Sequence, residues 1–167
     1  MRRKSYEESW VVFSGAKGAP PVRIHRRPAY DAVEGIDLLH ALLKDKALDL
    51  LTLPHLFCCR SLLEAVSFRN ADLSQSVLVW SDFQEVDFAG ADLRDSDLRS
   101  SSFVGCCFDG CNLDDCDLRC SAFEGCSFQG ASLRRAMLTA EQLGVLPVSE
   151  AQRALVRIGT PEAALGG

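Results

Sequence analysis

The chain has 167 residues, 47% of them hydrophobic and 25% charged, which fits one folded domain with flanking segments and excludes an intrinsically disordered chain. The net charge of −5 is unevenly placed, because residues 61–140 hold thirteen acidic and six basic side chains, whereas residues 1–60 hold seven and ten. No apolar run has the length of a signal peptide or of a membrane span, so we expect a cytoplasmic protein.

Residues 1–60 are predicted to form a flank that precedes a repetitive region. Residues 1–30 carry no pattern that predicts a particular element. Residues 36–51 differ from them, because their leucines recur at helical spacing and predict an amphipathic capping helix. An apolar stretch through Leu56 and Phe57 then leads into the repeats.

Residues 61–140 repeat every five residues. Each pentad has a large apolar residue, and a small residue stands two positions before it. A three-residue strand turns its first and third side chains to the same face, so both residues point inward and the other two turn the chain. The large residues are Leu63, Phe68, Leu73, Leu78, Phe83, Phe88, Leu93, Leu98, Phe103, Phe108, Leu113, Leu118, Phe123, Phe128, Leu133 and Leu138.

The identity of the large residues predicts the number of sides. After the first turn they follow the order Phe, Phe, Leu, Leu with a period of twenty residues, so four pentads make one coil and equivalent residues stack in columns. Four coils would make a rod of roughly 19 Å at the usual strand spacing. Several glycines, such as Gly90 and Gly105, end the Phe sides, where a turn with positive φ favours glycine.

Two segments carry a resemblance to a known family. Ala71–Gln75 and Ala91–Asp95 both read Ala-Asp-Leu followed by two polar residues, and they resemble the A(D/N)LXX signature of pentapeptide-repeat proteins. The resemblance covers about half of the chain. It implies an all-β solenoid, a right-handed quadrilateral β-helix, which we expect to have about four coils and helical flanking caps.

Residues 141–167 are predicted to form a helical cap and a loose tail. Ser149 is a suitable N-cap, and the residues from there to Ile158 have helical apolar spacing. A cap is expected, because the last coil of a solenoid would otherwise expose unpaired backbone groups. The predicted division is therefore a flank over 1–60, repeats over 61–140 and a cap over 141–167.

No catalytic residue, metal site or cofactor is predicted. The three histidines, His25, His40 and His55, precede the repeats and have no partner at a spacing typical of a metal site or a catalytic triad. We therefore expect a protein that is not an enzyme.

The cysteines form a cluster that resembles a metal site only when the sequence is read linearly. Cys106, Cys111, Cys116 and Cys126 occupy the small inward position of their pentads, so core packing explains them. Without an export signal, reduced thiols are expected. Two further cysteines are predicted to point outward, Cys107 and Cys120.

Acidic residues on the Leu sides are the candidate partner-binding surface. Residues 61–140 have a net charge of −7, so the charge density of the solenoid is comparable to that of duplex DNA, although lower, since DNA carries about one charge per 1.7 Å. An alternative is that Asp97 pairs with Arg99 and Asp117 with Arg119 along each strand. The predicted partner-binding residues are Asp92, Asp95, Asp97, Asp114, Asp115, Asp117 and Trp80.

Trp80 ends an apolar run, Val77–Trp80, in which only Leu78 is expected to face the core. Either the N-terminal flank or a partner protein would cover the other three side chains.

Two functions are compatible with this sequence. The first is an immunity-type inhibitor that occludes a bacterial toxin, such as a nuclease, since the layout of short acidic repeats and flanks is similar to that of pentapeptide-repeat proteins of secreted-toxin systems. The second is a DNA mimic that protects DNA gyrase, which would require a homodimer through the C-terminal helix rather than a monomer. A passive interaction scaffold is a further alternative. Direct binding to nucleic acid or membrane is not expected.

Overall fold

The computed structural model describes residues 10–13, 22–26 and 36–161, and most of them form a parallel β-solenoid of about six turns. Each turn has four sides of five residues. We call the sides centred on Phe83 and Phe88 the first and second Phe sides, and those centred on Leu93 and Leu98 the first and second Leu sides. The all-β solenoid predicted from the sequence is confirmed.

The regular elements are short, because each side of the coil holds only three extended residues. A parallel sheet of five strands forms the first Phe side, and isolated bridges join the coils on the other sides. The strands are β1 (Trp10–Phe13), β2 (Val22–Arg26), β3 (Ile36–Asp37), β4 (Leu42–Lys44), β5 (Leu62–Glu64), β6 (Asp82–Gln84), β7 (Ser102–Val104), β8 (Ala122–Glu124), β9 (Met137–Leu138) and β10 (Arg157–Ile158), and the helices are α1 (Ala140–Val145) and α2 (Glu150–Arg153).

The predicted columns form the core. On the second Phe side, Phe88 stacks on Phe68 with ring centroids 5.6 Å apart and on Phe108 at 5.1 Å. On the first Phe side, Phe103 stacks between Phe83 and Phe123 at 4.7 and 5.0 Å. Parallel stacking follows from the register, because residues twenty apart are paired in neighbouring strands.

Every side ends in a left-handed residue. Gly90 and Gly105 have φ of 69° and 65°, as predicted for the ends of the Phe sides. Residues other than glycine also adopt this conformation, including Leu50 with φ of 61° and Trp80 with φ of 50°. Because an L-residue adopts this conformation only at a cost of about 1–2 kcal/mol, the contacts of each coil must offset strain at these corners.

Buried serines satisfy backbone groups at the start of the first Phe side. The N–H of Ser61 donates to Ser81 Oγ at 3.1 Å, and the N–H of Ser81 donates to Ser101 Oγ at 3.1 Å. The hydroxyl of Ser101 in turn donates to the carbonyl of Leu78 at 2.7 Å. An inward serine therefore has two roles. It is small enough for the core, and its hydroxyl bonds backbone N–H and C=O groups near the corner.

The predicted helix over 36–51 is wrong, and so is the domain boundary at residue 60. This segment forms the first coil, with Leu38, Leu43 and Leu48 buried in the columns. The N–H of Leu48 donates to the carbonyl of Ser67 at 2.7 Å, a bond between coils rather than within a helix. The leucine spacing fits both structures, and the edge of the second coil provides the backbone partners that favour strands.

The repeats therefore begin near residue 36, and the count of about four coils was too low. The sequence pattern did not reveal this first coil, because the pattern requires a small residue two positions before each large one. In the first coil several of these inward positions hold a large or charged residue instead, including Lys46 and Leu56.

The N-terminal end of the solenoid is covered by a hairpin. Strand β1 pairs antiparallel with β2, and β2 pairs antiparallel with β3, so that His25 lies beside Asp37. At this end, the second Leu side is thus extended by the antiparallel strands β1 and β2. These strands pair with an edge that the parallel coils alone would leave unpaired.

Two short helices cover the C-terminal end, in partial agreement with the predicted cap. The Gln142 carboxamide accepts from the N–H of Thr139 at 2.8 Å, and its nitrogen donates to the carbonyls of Leu118 and Ser121, both at 2.7 Å. Gln152 repeats this arrangement from α2 on the carbonyls of Phe128 and Ala131. A glutamine at each helix start therefore joins the helix to carbonyl groups of the last coils.

The predicted N-cap at Ser149 is confirmed, but the helix ends at Arg153. Arg157–Ile158 then returns as β10 and pairs parallel with β9, because the edge of the last coil offers unpaired backbone groups. The loose tail predicted after it lies outside the described residues from 162 onward. No helix in the described ranges is long and apolar enough to span a membrane.

Candidate protein-binding surfaces

The predicted acidic surface lies on the Leu sides, where most of its carboxylates are paired with arginines. Arg99 binds both carboxylate oxygens of Asp97, at 2.8 and 2.7 Å, and Arg119 binds Asp117 in the same way, at 2.9 and 2.6 Å. Arg94 pairs with Asp92 at 2.9 Å. The alternative that these residues pair along their strands therefore agrees with the geometry.

The corner between the Leu sides is paired between coils. Arg134 contacts Asp114 at 3.1 Å, and Arg135 binds both oxygens of Asp115. Among the acidic residues of the predicted surface, and within the described chain, Asp95 alone has no ion pair. The two Leu sides hence offer alternating charges rather than a continuous negative field.

Hydrogen bonds keep several of these carboxylates ionised. The guanidinium of Arg135 lowers the pKa of Asp115. At Asp72 the hydroxyl and the N–H of Ser74, at 2.7 and 3.0 Å, lower the pKa of the carboxyl group. For Asp114, partial burial opposes ionisation, but bonds from Ser132 and Arg134 outweigh it and the pKa is lowered. These groups are already engaged within the protein, so their charge is less available to a partner.

The first Phe side carries the less compensated charge, which sequence reasoning missed. Its strands and the corner that follows them hold five acidic residues and one basic residue. Glu64 pairs with Lys44 at 2.6 Å, whereas in the described structure the other four have no ion pair. Those four are Asp45, Asp82, Glu85 and Glu124.

The difference in charge between the sides can be read from the sequence when residues twenty apart are aligned. Arginines recur on the Leu sides, whereas the columns of the first Phe side hold no arginine and Lys44 is their one basic residue. The linear sequence shows Arg99 beside Asp97 and Arg119 beside Asp117, whereas the pairing of Asp115 with Arg135 joins residues of neighbouring coils.

Trp80 lies at the corner where the second Leu side meets the first Phe side. Leu78 is buried as predicted, Val77 and Val79 are half-buried, and Trp80 is 55% exposed. The guanidinium of Arg60 lies 5.9 Å from the centre of the Trp80 ring. The tryptophan is thus an exposed aromatic group beside the acidic first Phe side.

The inward cysteines behave as core residues. Cys106, Cys111, Cys116 and Cys126 are buried, and burial raises the pKa of Cys116 to about 12. Cys120 is exposed. Within residues 10–13, 22–26 and 36–161, no group of three or more histidine, cysteine or acidic residues could hold a metal ion.

Residues 77–152 match the model of a protein family described as the pentapeptide repeat region. That segment includes three coils of the solenoid, all of α1 and the first three residues of α2. No curated protein sequence matches the chain.

Solved structures of similar fold come from several organisms. HetL, a pentapeptide repeat protein involved in heterocyst differentiation regulation in the cyanobacterium Nostoc sp. strain PCC 7120, is 19% identical with a TM-score of 0.57, and the match covers 61% of this chain and 48% of HetL. This chain thus spans about half the length of HetL. A pentapeptide repeat protein of the Arabidopsis thaliana thylakoid lumen is 26% identical with a TM-score of 0.52, over 64% of this chain and 72% of that one.

A trypsin-treated form of QnrB1, a plasmid-mediated fluoroquinolone resistance protein, is 17% identical and matches 62% of this chain and 52% of its own. Its TM-score is 0.32, so the superposition supports no comparison of surfaces.

Proposed function

Since this chain is a pentapeptide-repeat protein, we propose that it is a non-enzymatic binding protein, an immunity-type inhibitor that occludes a bacterial toxin with nuclease activity. The observation that carries the proposal is a rigid stack of coils with a net negative outer surface. Proteins of this family are generally structural or binding modules.

The physical basis is electrostatic steering toward a basic nucleic-acid cleft. Residues 61–140 carry seven more acidic than basic side chains, so a positively charged cleft would attract the solenoid and accelerate association. A stack of coils joined by backbone bonds at every side changes little on binding, which reduces the entropic cost of the complex. We place the inhibitor in the cytoplasm, where a nuclease toxin would reach its substrate.

The test is capture followed by an inhibition assay. The purified protein is immobilised and exposed to a lysate of the cells that make it, and the captured protein is assayed for DNA hydrolysis with and without added solenoid. We expect a basic nuclease whose activity falls in proportion to the solenoid added, with weaker inhibition at high salt. A captured protein with no nuclease activity, or a nuclease that stays fully active, would contradict the proposal.

The same experiment distinguishes the alternative partner. Capture of gyrase subunits instead of a nuclease would favour the DNA-mimic function, which also requires a homodimer. Sedimentation of the purified protein measures that requirement. The paired carboxylates of the Leu sides weaken this alternative, because duplex DNA offers uncompensated phosphates.

A further inference from the structure

The outer surface of the five-stranded sheet combines exposed apolar groups with uncompensated acidic groups. We call this surface the β4–β8 face, and it comprises the outward side chains of these strands together with the corner residues Trp80, Asp45 and Glu85. Its side chains form rows along the rod, since strand neighbours are twenty residues apart in register.

Apolar side chains lie along this face. Leu42 is 70% exposed and Val104 is 40% exposed, and Trp80 borders the face at its edge. Leu62 stands directly between Leu42 and Asp82 in the row of strand partners. The outward positions of a coil do not require apolar side chains, and clustered exposed apolar groups are typical of protein-binding surfaces.

The charges on the strands and following corners of the β4–β8 face are mostly negative. These positions hold five carboxylates and one lysine, and among the residues that the structure describes only Glu64 has an ion pair, with Lys44. Two of the others, Asp82 and Glu124, are exposed. Their strands, β6 and β8, both pair with β7, the strand that contains Val104. The Leu sides differ, because arginines there bind the carboxylates directly.

We propose that the β4–β8 face is the docking surface for a cationic, amphipathic segment of a partner protein. Charge complementarity identifies this occupant: leucine-like side chains would cover Leu42, Leu62 and Val104, while lysines or arginines would reach the unpaired carboxylates around them. A neutral apolar partner would leave these carboxylates buried and unpaired, at a large cost. The proposal rests on the proposed binding function and moves its interface from the Leu sides to this face.

A synthetic peptide of alternating leucine and lysine tests the chemistry without the natural partner. The full chain, labelled with ¹⁵N, is titrated with this peptide and with a matched peptide in which serine replaces each leucine. We expect amide shifts concentrated on β4–β8 and a dissociation constant about tenfold lower for the leucine peptide, because burial of apolar surface adds to the attraction.

Two charge-matched variants locate the binding. The face variant carries Asp82→Asn, Glu85→Gln and Glu124→Gln, and the control carries Asp92→Asn, Asp95→Asn and Asp114→Asn. All six positions lie on the outside of coils, so folding is checked by circular dichroism. We expect the face variant to weaken binding about tenfold and the control to change it less than about twofold.

Three other outcomes would contradict the proposal that the β4–β8 face is a docking surface. Shifts centred on the Leu sides, equal effects of the two variants, or equal affinity for the leucine and serine peptides would each overturn it. These results are separable from the proposed function, because nuclease capture and inhibition are measured with a different ligand. If the Asp92, Asp95 and Asp114 control loses nuclease inhibition while the face variant keeps it, the binding function stands and the interface lies on the Leu sides.

Discussion

The middle coils and the ends of the solenoid are stabilised by different interactions. In the middle, Phe103 lies between two identical rings, and each strand has a strand of the same length on both sides. At the C-terminal end, the carbonyls of Leu118 and Ser121 instead receive the side chain of Gln142. Repetition is thus sufficient where every coil has two neighbours, and individual polar side chains are needed where one neighbour is missing.

The largest expected difference is in the aromatic column. Phe103→Ala removes a fully buried ring that stacks on both sides, so we expect a loss of about 3–5 kcal/mol in the free energy of unfolding. Phe123→Ala is the matched change at the last ring of the same column, where Phe123 is half-buried, and should cost clearly less. Urea unfolding followed by circular dichroism measures both, and equal losses would show that middle and end are equivalent.

The next effect concerns the C-terminal cap. Gln142→Ala removes the acceptor for the Thr139 N–H and both donors to the last coils, and we expect a loss of about 1–2 kcal/mol in urea unfolding. Gln142→Glu keeps the acceptor but places a carboxylate against two carbonyl oxygens. If Gln142→Glu were as stable as wild type, the side chain would serve only the start of α1 and not the open end of the coil.

A smaller effect is expected at the corners. Gly130 has φ of 70° and open space where an added methyl group would lie, so Gly130→Ala tests backbone strain alone and should cost about 1 kcal/mol. Gly90→Ala, in a middle coil, also requires the Asn70 carboxamide to move, since an added Cβ would overlap its oxygen. Thermal unfolding should rank Gly90→Ala as the more harmful change, and the reverse order would argue against tighter corners in the middle.

The smallest effect is the pH dependence that arises from the surface pairs. The pKa values of Asp72, Asp114 and Asp115 are lowered in the folded protein, so the unfolded chain binds protons more readily than the folded one. Stability from these groups is therefore present at neutral pH and declines as the pH falls below about 4. The urea midpoint should decrease between pH 7 and pH 3, and by less in Arg135→Gln, which frees Asp115. An equal decrease in both proteins would mean that this pair between coils contributes nothing.

The predictable part of the fold is the part in which each residue depends on its own pentad and on the residue twenty positions away. The Phe and Leu columns, the positive φ at Gly90 and Gly105 and the inward Cys106 were all inferred correctly, because period and residue size determine them. The first coil was missed, since its leucines satisfy a helical pattern as well and Lys46 breaks the rule of small inward residues.

The charge of each surface was harder to predict than the fold. Counting carboxylates located the Leu sides correctly, but the charge of a surface depends on cross-coil neighbours, as the pairing of Arg135 with Asp115 illustrates. Conversely, Asp82 and Glu124 were not predicted to belong to one surface, because they are far apart along the chain. In the structure they lie on the same sheet.

The sequence by itself determined the shape of the repeating unit: five residues to a side, four sides to a coil, and the identity of each column. That information is local, since a small and a large inward residue in every pentad leave the chain one way to bury both. Only the tertiary structure decided where the stack begins, how Gln142 and Gln152 close it, and which carboxylates remain unpaired. The start and the closure of the stack depend on its edges, which have no period. The ion pairs between coils do follow the twenty-residue register, but the positions of the side chains decide which of these pairs form.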